Sequence, residues 1–247
     1  MIITSRFEAL PNEPRIFALG NFDGVHLGHQ ALLKQAISRA RQIGGVAVAF
    51  ALSPHPLQVL GYPIETIVTS AGKARLLAEL GLDAFFLFPF TKQVAQMAPT
   101  DFVESILLKQ ARAQGLVVGF NYSFGRKAAG TPEFLREYLR NHKVSVDIVP
   151  PVLYAGEPIS STRIRHHLRQ GDLAMVETLL GRPYSITGLV QPGEQRGRNI
   201  GFPTANIDLA GLALPPFGVY AAEVVGIGYG MANLGVRPSF PQSAPTL

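Results

Sequence analysis

Gly20-Asn21-Phe22-Asp23-Gly24-Val25-His26-Leu27-Gly28-His29 stands between a short apolar run, Ile16 to Leu19, and an amphipathic stretch, Leu27 to Gln42. The run reads as a strand buried on both faces. In the stretch, Leu33, Ala36, Ile37, Ala40 and Ile43 recur at helical spacing until Gly44-Gly45 stops them. The ten residues are therefore a strand-loop-helix corner. In a doubly wound sheet such a corner sets backbone amides and the positive end of a helix at the carboxyl edge of the strands, where anions bind. Phosphate is the natural guest. His26 and His29, three apart, fall on one side of the first helical turn, where each can donate to a phosphoryl oxygen. Gly28 between them lets phosphates approach the backbone. A Walker loop would need GxxxxGK[ST] and a dinucleotide fingerprint GxGxxG, and neither is present. Zinc on the two histidines would need a third ligand from a chain with six histidines and no cysteine. A plain cap by Asn21 or Asp23 would start a helix, yet it leaves the two histidines and three glycines unexplained.

Outward from this corner, apolar runs alternate with amphipathic stretches as far as Gly181, the pattern of a parallel sheet covered by helices. Strands are expected at Ile16 to Leu19, Val46 to Phe50, Ala84 to Phe88, Leu116 to Val118 and Val144 to Val149. Helices are expected at Leu27 to Gln42, Ala71 to Leu80, Thr100 to Ala113, Pro132 to His142, Ser161 to Gln170 and Leu173 to Leu180. Asp101 near Thr100, and Thr131 before Pro132, are start signals of the capping kind. At Gly181-Arg182-Pro183 helical patterning gives way to glycine-rich, alternating β-type segments. The expected organisation is an α/β domain over residues 1–182, Rossmann-like and doubly wound, followed by a small β domain over residues 183–247.

A second junction, Ile159-Ser160-Ser161-Thr162-Arg163-Ile164-Arg165, follows the last strand of the first domain. Ser161 and Thr162 at a helix start can cap it or bind phosphate, and Arg165 one turn in can hold far phosphates through its forked donors. Taken alone the segment could equally be a capped helix with a solvated basic face. Its expected place at the same sheet edge as the histidine loop favours a joint nucleotide site.

Composition agrees. With 247 residues, 47% of them hydrophobic, the chain can bury one large core and a smaller one. Val46 to Leu52 and Ala84 to Phe88, the longest apolar stretches, fall far short of the roughly 18 residues of a membrane span. The N-terminal MIITSRFEALPNE lacks the pattern of an export leader, so a cytoplasmic address is expected. Lack of cysteine removes disulfides, thiolate metal sites and a cysteine nucleophile. A net charge of +5 suits a polyanionic ligand. With only 16% charged residues and no lysine-arginine block, that ligand is a small phosphorylated molecule rather than a nucleic acid or membrane.

At these two junctions the chain resembles the HxGH nucleotidyltransferase superfamily, in which an HxGH loop and an ISSTxxR segment grip ATP phosphates. More closely, GNFDGVHLGHQALL, the SPHP turn at Ser53 to Pro56, and GFNYSFGRKAAGT from Gly119 to Thr131 resemble the prokaryotic bifunctional riboflavin kinase/FAD synthetase. The likeness runs along essentially the whole chain. It implies that AMP is transferred from ATP to FMN, giving FAD and pyrophosphate, with magnesium. His26, His29 and Arg165 would be catalytic; Gly20, Phe22, Asp23, Gly28, Ser161 and Thr162 would bind ATP; Asn121 would lie near the flavin.

Gly193 to Ile207, containing Pro203-Thr204-Ala205-Asn206, is similar to the riboflavin kinase signature, which implies that Thr204 and Asn206 contact a magnesium-nucleotide in a small β-barrel. Leu214 to Tyr220 and Met231 to Phe240 continue that likeness. The family's kinase domain runs on past the position of Leu247, through a strand bearing its catalytic glutamate. An incomplete barrel and a lost kinase activity are the expectation here. Two other readings stand beside this one. The chain could be an HxGH enzyme with another acceptor, such as phosphopantetheine or nicotinamide mononucleotide, or a catalytically silent flavin- or nucleotide-binding protein.

Overall fold

A computed structural model describes residues 1–191 and 204–235. Six strands form one parallel sheet: β1 (Ile2–Thr4), β2 (Arg15–Leu19), β3 (Val46–Ser53), β4 (Ala84–Pro89), β5 (Ala113–Gly119) and β6 (Ser145–Val149), in the order β1-β4-β3-β2-β5-β6. The connecting helices are α1 (Leu27–Gln42), α2 (Pro56–Val59), α3 (Ser70–Glu79), α4 (Lys92–Ala95), α5 (Pro99–Asp101), α6 (Pro132–Leu139), α7 (Ser161–Gln170) and α8 (Leu173–Leu180).

The strand period of two divides the core into halves. Ile16 and Ala18 of β2, with Ala47, Ala49 and Ala51 of β3, face the side covered by Leu33, Ala36 and Ala40 of α1 and by residues of α3, α7 and α8. The row of alanines lets α1 lie close against the sheet. Phe17 and Leu19 point the other way and join Phe50, Phe86, Phe88 and Phe102 in an aromatic layer closed by Leu135 and Leu139 of α6. Sheet order reverses at β2, which pairs with β3 on one side and β5 on the other. The crevice at the carboxyl ends of those strands is where such sheets bind ligands, and the histidine loop leaves β2 there.

Expected and observed elements agree at α1, α7 and α8, and Thr131 caps α6 by accepting the Phe134 N–H at 3.1 Å. Elsewhere the structure corrects the reading. The stretch expected as one helix from Thr100 to Ala113 is α5 continuing into a π-helix, Phe102–Gln110, and Ala113 already belongs to β5. Asp101 makes no capping bond; Pro99 starts this helix behind Ala98. The helix expected to reach His142 ends at Leu139. Strand β1 and the hairpin of β7 (Leu153–Tyr154) and β8 (Glu157–Pro158) add to the expected elements, because two- and three-residue exposed strands hold no alternation to read.

Past Gly181 the described chain is antiparallel. β9 (Val190–Gln191) pairs with β10 (Asn206–Ile207), and β11 (Gly218–Val224) with β12 (Gly228–Leu234), around Leu209, Leu212 and Leu234. Glu223 is exposed on β11. The glycine-arginine loop from Gly193 to Pro203 and the segment from Val236 onward lie outside the described residues. Between the two regions, Thr66 exchanges backbone bonds of 2.8 Å with Gly211 and Ala213, and the Thr69 hydroxyl donates to the Thr187 carbonyl at 3.1 Å.

Candidate active site

A cleft of about 880 Å³ opens at the carboxyl ends of β2, β3, β5 and β6. Both sequence junctions line it. His26, Gly28 and His29 form one wall with Gly20 and Phe22; Ser161 and Thr162 form another; Asn121 stands exposed beyond β5. The remaining wall is apolar, with Leu52, Leu57, Phe90 and Phe120 among its residues. No aspartate or glutamate among the described residues lines the cleft, whereas Arg126 and Lys127 do. The cleft thus combines polar and cationic groups with an apolar wall suited to a flat ring.

The histidine loop is locally strained. Phe22 and Val25 adopt left-handed backbone angles, φ 52° and 43°, and a β-branched residue there is an outlier that its surroundings must enforce. His26 is buried and caps α1, its Nδ1 accepting the His29 N–H at 3.3 Å, so a neutral His26 keeps its proton on Nε2 as a donor. The two imidazoles stack with centroids 3.6 Å apart. Gly28 leaves room for this stack, since a Cβ there would sit 3.2 Å from the His26 ring and press on it. Nδ1 of His29 is enclosed and has no partner among the described residues. Burial, then the neighbouring His26 ring and the Lys73 ammonium, hold the His29 pKa well below the usual value. Both rings are neutral donors at neutral pH.

The junctions are bonded to each other directly. Asp23 is buried; its Oδ1 accepts the Ile67 N–H at 2.9 Å and its Oδ2 accepts from Arg165 Nη2 at 3.0 Å. The Ser161 hydroxyl donates to the Asp23 carbonyl at 2.9 Å, and Ser160 caps α7. Asp23 and Arg165, expected at the phosphates, are not on the cleft wall: each holds the other behind it. Thr204 and Asn206 lie apart from the cleft, on the approach to β10 and in it.

Sequence reading missed five residues that build this site. Lys73 of α3 donates to the Asn21 carbonyl at 2.7 Å. His55 of the SPHP turn caps α2, lines the cleft and lies 3.3 Å from the Asn21 side chain. Arg182, read only as a boundary, donates to the carbonyls of Gly24 at 2.7 Å and Val25 at 3.2 Å. Arg126 and Lys127 stood in a quoted motif without a role. His55 and the last pair had a signal, the one in the SPHP turn and the others as adjacent cations in a glycine-flanked loop.

Burial and the nearby Arg182 push the His26 imidazole down to about 4, against 6.5 for a free histidine. Between those values the unfolded chain takes up a proton that the folded chain refuses. Stability from this residue is therefore complete above pH 6.5 and is lost as pH falls toward 4, by about 3 kcal/mol in all. Urea melts at about pH 7.5 and about pH 5 should show about 2 kcal/mol of this loss in the wild type and a distinctly shallower dependence in His26→Asn. Equal dependences would remove His26 as the cause.

An open parallel sheet whose switch-point crevice carries an HxGH loop joined to an ISST helix start defines a nucleotidyltransferase domain. The family model described as FAD synthetase matches residues 9–163, and that described as riboflavin kinase matches residues 180–247. Proteins called bifunctional riboflavin kinase/FMN adenylyltransferase are similar along the chain. That of Listeria monocytogenes is 38% identical over 92% of this chain and 74% of its own length; that of Bacillus subtilis is 36% identical over 93% and 74%. That of Escherichia coli strain K12 is 34% identical over 93% and 75%. A crystal structure described as a macrolide-efflux protein from Streptococcus pneumoniae superimposes with a TM-score of 0.80 at 32% identity, covering 96% of this chain and 80% of that one. The chain belongs to the bifunctional riboflavin kinase/FMN adenylyltransferase family. It spans about three quarters of the length of these relatives. Among the described residues no helix is long and apolar enough to cross a membrane.

Proposed function

We propose that residues 1–182 transfer the adenylyl group of ATP to FMN. A phosphate oxygen of FMN attacks the α-phosphorus in line; the bond to the β-phosphate bridging oxygen breaks and pyrophosphate departs with the electron pair. The acceptor is already anionic near neutral pH, so no protein nucleophile is needed and positioning and charge stabilisation are the levers. His26 and His29 donate to the α-phosphate region as charge moves toward pyrophosphate. The Thr162 hydroxyl, the backbone at the start of α7 and the backbone N–H groups of Phe22 and Gly28 hold the remaining phosphates, while the Gly20 N–H is bonded to the Phe50 carbonyl at 3.1 Å and the Ser161 hydroxyl to that of Asp23. Arg165 serves through Asp23, keeping the loop and the start of α7 together. Asn121 contacts the flavin, whose ring fits the apolar wall.

The single observation that carries this reading is the carboxylate-free cleft with the bonded histidine and serine junctions at one end and apolar side chains at the other. A magnesium ion held by a carboxylate of the described residues does not fit there, because none lines the cleft and both oxygens of Asp23, behind the wall, are engaged. In the module of residues 183–247, the neutral oxygens of Thr204 and Asn206 suit a magnesium-nucleotide, in which the ion would neutralise phosphate charge.

Pyrophosphate release from ATP tests the reading, with FMN, phosphopantetheine or nicotinamide mononucleotide as acceptor. Release with FMN alone is expected; release with another acceptor, or with none, overturns it.

A further inference from the structure

We infer that Lys73 is a positioning residue for adenylyl transfer, holding the Asn21–Phe22 peptide so that the Phe22 N–H faces the nucleotide phosphates. The inference rests on the reading of the cleft as an ATP site.

Lys73 sits one turn inside α3 and is half-buried against the back of the histidine loop, a place that costs an ammonium group part of its hydration. Its one hydrogen bond among the described residues is the 2.7 Å bond to the Asn21 carbonyl oxygen. The Asn21–Phe22 peptide is trans, the cis bond among the described residues being Ser53–Pro54. In a trans peptide the N–H points opposite to the carbonyl. With the Asn21 oxygen turned back toward Lys73, the Phe22 N–H is turned forward, and Phe22 lines the cleft. That N–H has no acceptor among the described residues. Backbone donors ordinarily find partners, so one left without a protein acceptor on the wall of a carboxylate-free cleft is available to a phosphate oxygen.

The strain is consistent with this arrangement. Phe22 stays left-handed at φ 52° although glycine, not phenylalanine, favours that region. A lysine bond that fixes the peptide plane is one restraint that keeps it there. Lys73 is itself held in place from outside the loop: Thr69 caps α3 by accepting the Gly72 N–H at 3.1 Å. Depression of the Lys73 pKa by burial, partly opposed by Asp23, accords with an ammonium that has few partners until an anion arrives.

The test uses the full chain as wild type, Lys73→Met and Lys73→Gln. Methionine fills the space without a donor, whereas glutamine can still donate to the Asn21 oxygen. Expected for Lys73→Met is a loss of about 10²-fold in kcat/KM for ATP, with FMN affinity, read by flavin fluorescence, unchanged. Lys73→Gln should recover a substantial part of the loss. Unaltered ATP kinetics in Lys73→Met, or equal weakening of ATP and FMN binding, overturns the proposal, the second outcome marking Lys73 as a packing residue. Independently of any variant, the Phe22 amide resonance of ¹⁵N-labelled wild type should move when ATP is titrated and stay when FMN is. A resonance indifferent to ATP overturns it whether or not Lys73→Met folds. If the wild type binds ATP with that shift but forms no FAD, the functional reading fails while the contact of the Phe22 N–H with ATP stands.

Discussion

His29→Ala lowers FAD formation by two to three orders of magnitude while the melting temperature stays close to that of the wild type. The loss follows from where the ring sits. It stacks on His26 at 3.6 Å, meets Phe22 edge-on and lines the polar end of the cleft, so it is held without reorganising when charge develops. Removing one such preorganised donor from a water-poor site costs about 2.7 to 4 kcal/mol of barrier, or about 10² to 10³ in rate. Stability is spared because the His29 ring accepts no bond that the fold needs; the capping bond runs from its backbone N–H to His26 and survives the substitution. Turnover at saturating ATP and FMN, with a thermal melt of the same preparation, decides it. Near-normal turnover would take this ring out of the chemistry.

Asp23→Asn has the opposite signature, a large loss of stability accompanied by a loss of activity. The new side-chain amide could still accept the Ile67 N–H, but Arg165 would face it in place of a carboxylate, with side chains only 4% and 15% exposed in the native pair. Breaking a buried pair from one side leaves an uncompensated charge and costs about 3–5 kcal/mol. For a chain of this size the melting temperature should fall by about 10 °C. The loop and α7 would also lose the tie between them, so FAD formation should fall too. Adding Arg165→Met removes the stranded charge and is expected to restore much of the stability without restoring activity. If Asp23→Asn melts with the wild type, the pair contributes nothing and the loop is held by other contacts, chiefly Arg182.

The sequence alone was sufficient for the alternation of strands and helices, the change of pattern near Gly181 and the two junctions that the fold brings to one cleft. Those features are local. Helical recurrence of Leu33, Ala36 and Ala40, a capping threonine before Pro132, and HxGH spacing all act within a few residues, so the chain shows them without its fold. The stretch from Thr100 to Ala113 was misread for a related reason: insertion of a π-helical register between Phe102 and Gln110 leaves the apolar pattern nearly intact while changing the bonding.

What the tertiary structure decided is which polar residues line the cleft and which are bonded to each other. In the sequence Asp23 and Arg165 looked like phosphate contacts, because a carboxylate and a guanidinium in phosphate motifs carry no mark of their partners. Folding brings them within 3.0 Å across 142 residues and turns both inward. Lys73 and Arg182 gave no signal in their own segments, yet they close on the carbonyls of the histidine loop from 52 and 158 residues away. Such roles depend on burial. An exposed charge is solvated and free to bind, whereas a buried one must be satisfied by whatever group the fold places beside it. That neighbour is set by three-dimensional packing rather than by local pattern.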